Sequence, residues 1–114
     1  MERISHYSFG SITIDGKTYS SDVIIYPGRV NPSWWRKEGH YLQPVDLEEV
    51  VATKPDVVVI GTGASGVMQV PDKTIKWLEG KGIRVEVART GEAVKIYNGL
   101  YENTNVVAGL HLTC

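Results

Sequence analysis

One cysteine, one phenylalanine, two methionines and almost no net charge are the scarcities of this sequence, and each excludes something. A lone thiol, Cys114, closes no intrachain disulfide, and such usage belongs to a reducing compartment rather than to a secreted scaffold. The expected location is the cytoplasm. Twelve Lys and Arg against thirteen Asp and Glu leave a charge of −1, far from the broad positive field that nucleic acid or an anionic bilayer selects. No apolar run approaches the roughly 18 residues of a membrane span, and Met1 to Tyr7 lacks the apolar stretch of a signal peptide. No repeat, low-complexity tract or linker divides the chain. What is present is ample apolar material, 42% of 114 residues, enough for one core. Residues 1–114 therefore read as a single domain.

The first third is β-prone. Ser8 to Ile14 and Lys17 to Tyr26 are rich in Ile, Val, Thr and Tyr and meet at Asp15-Gly16, a dipeptide suited to the positive φ of a tight hairpin turn. Pro27 to Ser33 holds two prolines and a glycine, which predicts a loop with no ladder through it. A short strand is expected at His40 to Gln43. After Pro44 the period becomes helical: Asp46 reads as an acidic cap, with Leu47, Val50 and Val51 on one face. Pro55 ends that helix. Val57 to Ile60 is a continuous apolar run, as in a central strand covered on both faces. Pro71-Asp72 opens a second helix that stops near Gly80, Arg84 to Ala88 alternates as a strand, Thr90 reads as the cap of a third helix, and Val106 to Leu112 closes the chain as a strand. Crossovers of this length make the later strands parallel. The expectation is a three-layer α/β domain: a mixed, mostly parallel central sheet, helices packed on it, and a hairpin-rich N-terminal flank.

Candidate sites follow from that frame. Gly61, Gly63 and Gly66 match G-x-G-x-x-G directly after the central strand, the arrangement that lets a backbone approach a pyrophosphate at a helix N-terminus. Here Pro71 delays the helix by about a turn, and Glu86, twenty residues after Gly66, sits mid-strand rather than at a strand end, so no nucleotide cofactor is expected. Two readings remain: the glycines serve a tight strand exit and close packing, or the turn holds a small anion through its N–H groups with Thr62 and Ser65. Arg89 and Thr90 follow the next parallel strand at the same edge, where ligands favour open α/β sheets. Thr90 is equally explained as a plain helix cap.

Nucleophilic catalysis finds no support. Cys114 heads no Cys-x5-Arg phosphate loop, and Ser65 stands in no Gly-x-Ser-x-Gly elbow. His111 and Cys114 have the spacing of half a zinc site, which His6 and His40 would have to converge to complete. No metal and no catalytic residue is expected. Trp34, Trp35 and Arg36 are of the types enriched in binding hot spots, and offer a partner surface; the alternative is that one Trp packs in the core and the other faces out. A nucleic-acid surface would require Arg29, Arg36 and Lys37 to cluster.

The order Tyr7-Ser8-Phe9-Gly10, Ile14-Asp15-Gly16, Trp34-Trp35-Arg36, Gly39-His40, Val59-Ile60-Gly61-Thr62-Gly63, Gly82-Ile83, Thr90 with Ala93, Tyr97-Asn98 and His111-Leu112-Thr113-Cys114 resembles a small domain family of archaea, bacteria and mitochondria. Its eukaryotic relatives include mitochondrial complex I assembly factor 3 and the adipogenesis-associated domain protein; this chain is most similar to the free-standing prokaryotic members. The resemblance implies a three-layer fold with a mixed sheet. It implies no catalytic activity or cofactor, and it gathers the shared residues of the glycine turn, the Thr90 turn and Tyr97-Asn98 on a common surface at one sheet edge. Two functions are thus expected: a non-enzymatic protein-binding or assembly-factor-like module with an unidentified protein partner, or a binder of a small anionic ligand, extending to a weak enzyme, at the glycine turn.

Overall fold

Residues 3–114 are described by a computed structural model; Met1 and Glu2, part of the N-terminal stretch read above, lie outside the described residues. Three fully buried strands form the spine: β4 (Val23–Tyr26), β6 (Val57–Thr62) and β8 (Val106–His111). Period-two alternation divides their side chains between two cores. Val23, Ile25, Val57, Val59, Val106, Ala108 and Leu110 face one core; Ile24, Tyr26, Val58, Ile60 and Val107 face the other. With edge strands β5 (Arg29–Asn31) and β7 (Arg84–Ala88) they make a sheet of order β5-β4-β8-β6-β7. β8, β6 and β7 run parallel, while β4 pairs antiparallel with both β8 and β5.

The first core is closed by a second, antiparallel sheet of β1 (Ile4–Ser8), β2 (Ser11–Ile14) and β3 (Lys17–Tyr19) together with α3 (Thr90–Leu100). Ile4, Ile12 and Ile14 meet Ala93 and Tyr97 there. Asn98 joins the two, accepting from the Ile4 N–H at 3.0 Å and donating to its carbonyl at 2.8 Å. Tyr97 and Asn98 therefore serve core and suture rather than an edge surface. The second core lies beneath a 3-10 turn (Pro44–Leu47), α1 (Glu48–Ala52) and α2 (Asp72–Glu79), with Trp34, Leu42, Leu47, Val50, Met68 and Leu78 buried in it. The arrangement is three-layered, as the sequence predicts.

Several local expectations are corrected. Gly10, at φ 77°, turns the chain after Phe9, so the run from Ser8 to Ile14 splits into the ends of two strands. Pro27-Gly28, with Gly28 at φ 85°, is the centre of a tight turn rather than of a barrier; Arg29–Asn31 continues as a hairpin strand on β4. Pro terminates a ladder only where its N–H is needed, and at a turn it is not. The expected strand at His40 to Gln43 reduces to a single bridge, Tyr41 to Gln69. Asp46 caps no helix from outside: it sits within the 3-10 turn and accepts from the Gln43 N–H at 2.8 Å.

From β6 the chain crosses to β7 on one side and returns past β6 to β8 on the other. The sheet's switch point thus lies at the C-terminal ends of β6 and β8, where open α/β sheets place ligands.

Candidate functional site

Thr62 and His111 are paired at those strand ends. The glycine turn follows Thr62, and its backbone donors are all spent on the chain itself. Gly63 N–H donates to Thr90 Oγ1 at 2.8 Å, Ala64 N–H to the Thr113 carbonyl at 2.6 Å, Ser65 and Val67 N–H to the Cys114 carbonyl at 3.3 and 2.9 Å, and Gly66 N–H to the Gly63 carbonyl at 3.2 Å. The turn is a clasp on residues 113–114 and presents no vacant N–H cradle to an anion. Its glycines have packing reasons: a Cβ at Gly61 would stand 2.8 Å from Thr90 Oγ1, and one at Gly66 3.2 Å from Arg89 Cγ. Thr62 Oγ1 donates to the Ala88 carbonyl at 3.2 Å. Ser65 and Arg89 are exposed beside the clasp.

Thr90 is not the helix cap expected of it. Arg89 holds the capping position, and Thr90 is the first helical residue, fully buried. Its hydroxyl accepts from Gly63 N–H and donates to the His111 carbonyl at 2.5 Å, tying the clasp to β8. Thr90→Val keeps the shape and strands both partners in the interior. It is expected to lower stability by about 2 kcal/mol in urea unfolding, while Thr90→Ser stays close to wild type; equal losses in both variants would refute the hydroxyl's role.

The tandem tryptophans part company. Trp34 is only 6% exposed and lies on β8, where a Cβ at Gly109 would stand 2.8 Å from its ring. The missing side chain at Gly109 makes the seat for the indole. Arg36 also turns inward: its guanidinium lies 4.6 Å from the Trp34 ring, bonds Asp22 Oδ2 at 2.7 Å through Nη2, and reaches the Gly39 carbonyl through Nε and Nη2. Between them Trp35 is 75% exposed. Further bonds fix the segment, Trp34 N–H to the Asp22 carbonyl at 2.8 Å and Lys37 N–H to Asp46 Oδ1 at 2.9 Å. Trp35 borders a groove of about 240 Å³ with the exposed Val45 and with Tyr26, Asn31, Asp46 and Glu49. Burial first, then the hydrogen bond to Glu49, pushes the Tyr26 hydroxyl up to about 12, so it remains a donor. The basic cluster required of a nucleic-acid surface does not form: Arg36 is committed to Asp22, and Arg29 pairs with Glu49 at 3.2 Å.

Asp22 is the residue that sequence reasoning missed. It stands just before β4, at the same edge as the ends of β6 and β8, and gathers three donors: Arg36 Nη2 and His111 Nδ1 on Oδ2, each at 2.7 Å, and Leu112 N–H on Oδ1 at 2.8 Å. Burial alone would push its carboxyl up; the bonds from His111, Leu112 and Arg36 outweigh that and hold it at about 2. His111 also meets the His40 ring edge-on, centroids 5.2 Å apart. Among the described residues no group of three or more His, Cys, Asp or Glu is placed to hold a metal ion, and no helix is long and apolar enough to cross a membrane.

A family model described as "Protein of unknown function (DUF498/DUF598)" matches residues 4–111. Among solved structures, the conserved hypothetical protein PH1505 from Pyrococcus horikoshii is 30% identical, over 98% of this chain and 99% of its own, with a TM-score of 0.84. The protein titled MT938 is 30% identical over the whole of both chains, with a TM-score of 0.83. A Bordetella pertussis protein titled a Mth938-like domain shares the fold at 19% identity, over 97% of this chain and 85% of its own, with a TM-score of 0.67.

Proposed function

The chain belongs to that DUF498/DUF598 family of proteins of unknown function, and on this premise we propose that it is a cytoplasmic, single-domain protein-binding module of the assembly-factor type, docking its partner through Trp35. The observation that carries the reading is the display of Trp35. An indole three-quarters exposed, on a segment bolted down by an inward Trp34 on one side and an inward Arg36 on the other, is a hot-spot side chain whose ordering cost is already met by the fold. Val45 extends the apolar surface across the groove. Asp46 and Glu49 are already bonded within the chain, to the Lys37 and Gln43 N–H groups and to Arg29 and Tyr26, so the groove suits a partner that offers an apolar side chain. The family resemblance, whose eukaryotic relatives are associated with complex assembly, supports the same role.

Affinity capture with quantitative mass spectrometry, followed by titration of the purified partner, tests this. Trp35→Ala is expected to leave the unfolding midpoint near wild type and to weaken the partner's binding by about 2 kcal/mol or more. Val45→Asp should act in the same direction, and Val87→Asp, on the far edge strand, should not. A partner bound equally by wild type and Trp35→Ala, or no specific partner at all, overturns the reading.

A further inference from the structure

Two polar atoms of the buried cluster have no partner among the described residues: Arg36 Nη1 and His111 Nε2. Their side chains are 5% and 6% exposed, and native interiors meet such groups with a water, an ion or a ligand. The two side chains touch, Arg36 Nη2 lying 3.3 Å from His111 Nδ1. The orphaned atoms are therefore no further apart than that contact plus the widths of one guanidinium and one imidazole. We infer that the cluster is a binding site for a phosphate group, bridging Arg36 Nη1 and His111 Nε2.

Proton accounting narrows the ligand. Asp22 is a carboxylate and only accepts, so His111 Nδ1, 2.7 Å from it, carries a proton. In the neutral ring Nε2 then offers a lone pair, as in any imidazole oriented by a carboxylate. Arg36 Nη1 can only donate. The missing group must accept from one and share a proton with the other. Hydrogen phosphate or a phosphomonoester does both, because its last proton leaves near pH 6: the proton sits on the phosphate oxygen or on Nε2, and the hydrogen bond persists either way. Acetate and chloride bring no proton to a neutral ring; water can meet the same two atoms and is the competing occupant. Of the Arg36 guanidinium only Nη1 is free to donate to the phosphate, since Nε and Nη2 are held by the Gly39 carbonyl and Asp22, and Asp22 balances its charge in the resting state.

Access runs past His40. Its backbone is tied by Gln69 N–H to the His40 carbonyl at 2.8 Å, but its side chain is exposed and stands against the His111 ring. His40 and Gly39, the latter bonded by Arg36, both line an open depression of about 440 Å³ shared with Glu38, Tyr41 and Gln69. Arg36 and His111 do not themselves line this depression, so entry requires the His40 side chain to move aside, and the depression would then take the substituent of a phosphomonoester. The inference is independent of docking at Trp35, since its test needs no protein partner.

The test is NMR of the imidazole nitrogens of labelled protein, titrated with inorganic phosphate, methyl phosphate, acetate and chloride at constant ionic strength. Saturable movement of His111 Nε2 with phosphate, absent with acetate and chloride, is expected. Tighter binding of methyl phosphate would assign a monoester, and equal or weaker binding the free ion. His111→Asn keeps a donor toward Asp22 and removes Nε2; it should weaken phosphate about tenfold or more, whereas His40→Ala should bind at least as well as wild type. No movement at saturating phosphate, or the same movement with every salt, means that the orphaned atoms hold water only and overturns the inference, whatever the outcome at Trp35.

Discussion

Asp22→Ala is expected to lower the unfolding free energy by about 3 to 5 kcal/mol, a large part of the roughly 5 to 15 kcal/mol typical of a domain. The cost comes less from the bonds lost than from what remains. With the carboxylate gone, the Arg36 guanidinium, 5% exposed, becomes an uncompensated buried charge, and His111 Nδ1 and Leu112 N–H lose the acceptor they share. Arg36 is also one of the two bolts of the Trp35 segment, so the same variant should loosen Trp35 and broaden its NMR resonances. A second consequence concerns pH. The Asp22 carboxyl is depressed in the folded protein to about 2 from an ordinary 3.8. A depressed folded value contributes stability that is complete above the ordinary value and is lost as pH falls through the folded one. Between about pH 4 and pH 2 wild type is therefore expected to lose about 2 kcal/mol through this one group. Asp22→Asn, which has no proton to take up, should start lower and lack that part of the acid limb. Parallel acid limbs in the two proteins would show that Asp22 is not held by the cluster.

The contrast between what the residues announced and what they concealed has a physical pattern. Local chemistry was legible. Asp15-Gly16, at φ 50° and 82°, makes the hairpin its residue types require, and Val57 to Ile60 lies in a fully buried interior strand, covered on both faces as a continuous apolar run signals, with β8 rather than β6 at the sheet's centre. The edge that carries the candidate sites was legible too, because parallel crossovers place β6, β7 and β8 ends together. Which side chains act there was not. Asp22 and His111 are separated by 89 residues and Asp22 and Arg36 by 14, and no periodicity or motif links them; they meet only because β4 runs antiparallel to β8 and brings its start to the end of its neighbour. Trp34 and Trp35 are identical in composition, and Gly109, a position with no side chain to notice, decides between them. Thr90 was legible as something at a helix start, yet the choice between capping its own helix and bonding across to Gly63 and His111 depends on how near Gly61 lets it come. The one signal available in advance was the glycine spacing itself, Gly61, Gly63 and Gly66 after a buried strand, which left a close-packed strand exit and an anion cradle both open; the close approaches at Gly61 and Gly63 are those of the first.

That distinction yields the other large expected effect. Gly63→Ala should destabilise the protein by about 3 kcal/mol or more. Two costs coincide. Gly63 has φ 109°, a backbone conformation that an L side chain rarely adopts. An added Cβ would also overlap the Cys114 carbonyl carbon and stand 2.6 Å from its oxygen and 2.9 Å from His111 Cδ2. None of these is a flexible side-chain tip; two are backbone, and the third is a ring pinned to Asp22. Relief requires residues 113–114 to leave the turn, which breaks the bonds from Ala64 and Val67 N–H and frees the His111 ring. Gly66 is the internal control. It has φ 73°, but its neighbours are Cγ and Nε of Arg89, at 3.2 and 3.3 Å, and an exposed arginine can swing aside. Gly66→Ala should therefore cost only the backbone strain, about 1 to 2 kcal/mol. Hydrogen exchange separates the two further: Gly63→Ala should strip protection from the Ala64 and Val67 amides before any global unfolding, and Gly66→Ala should retain it. Equal losses, or intact protection in Gly63→Ala, would mean that residues 113–114 are not clasped. The turn's N–H groups would then be available to a ligand after all.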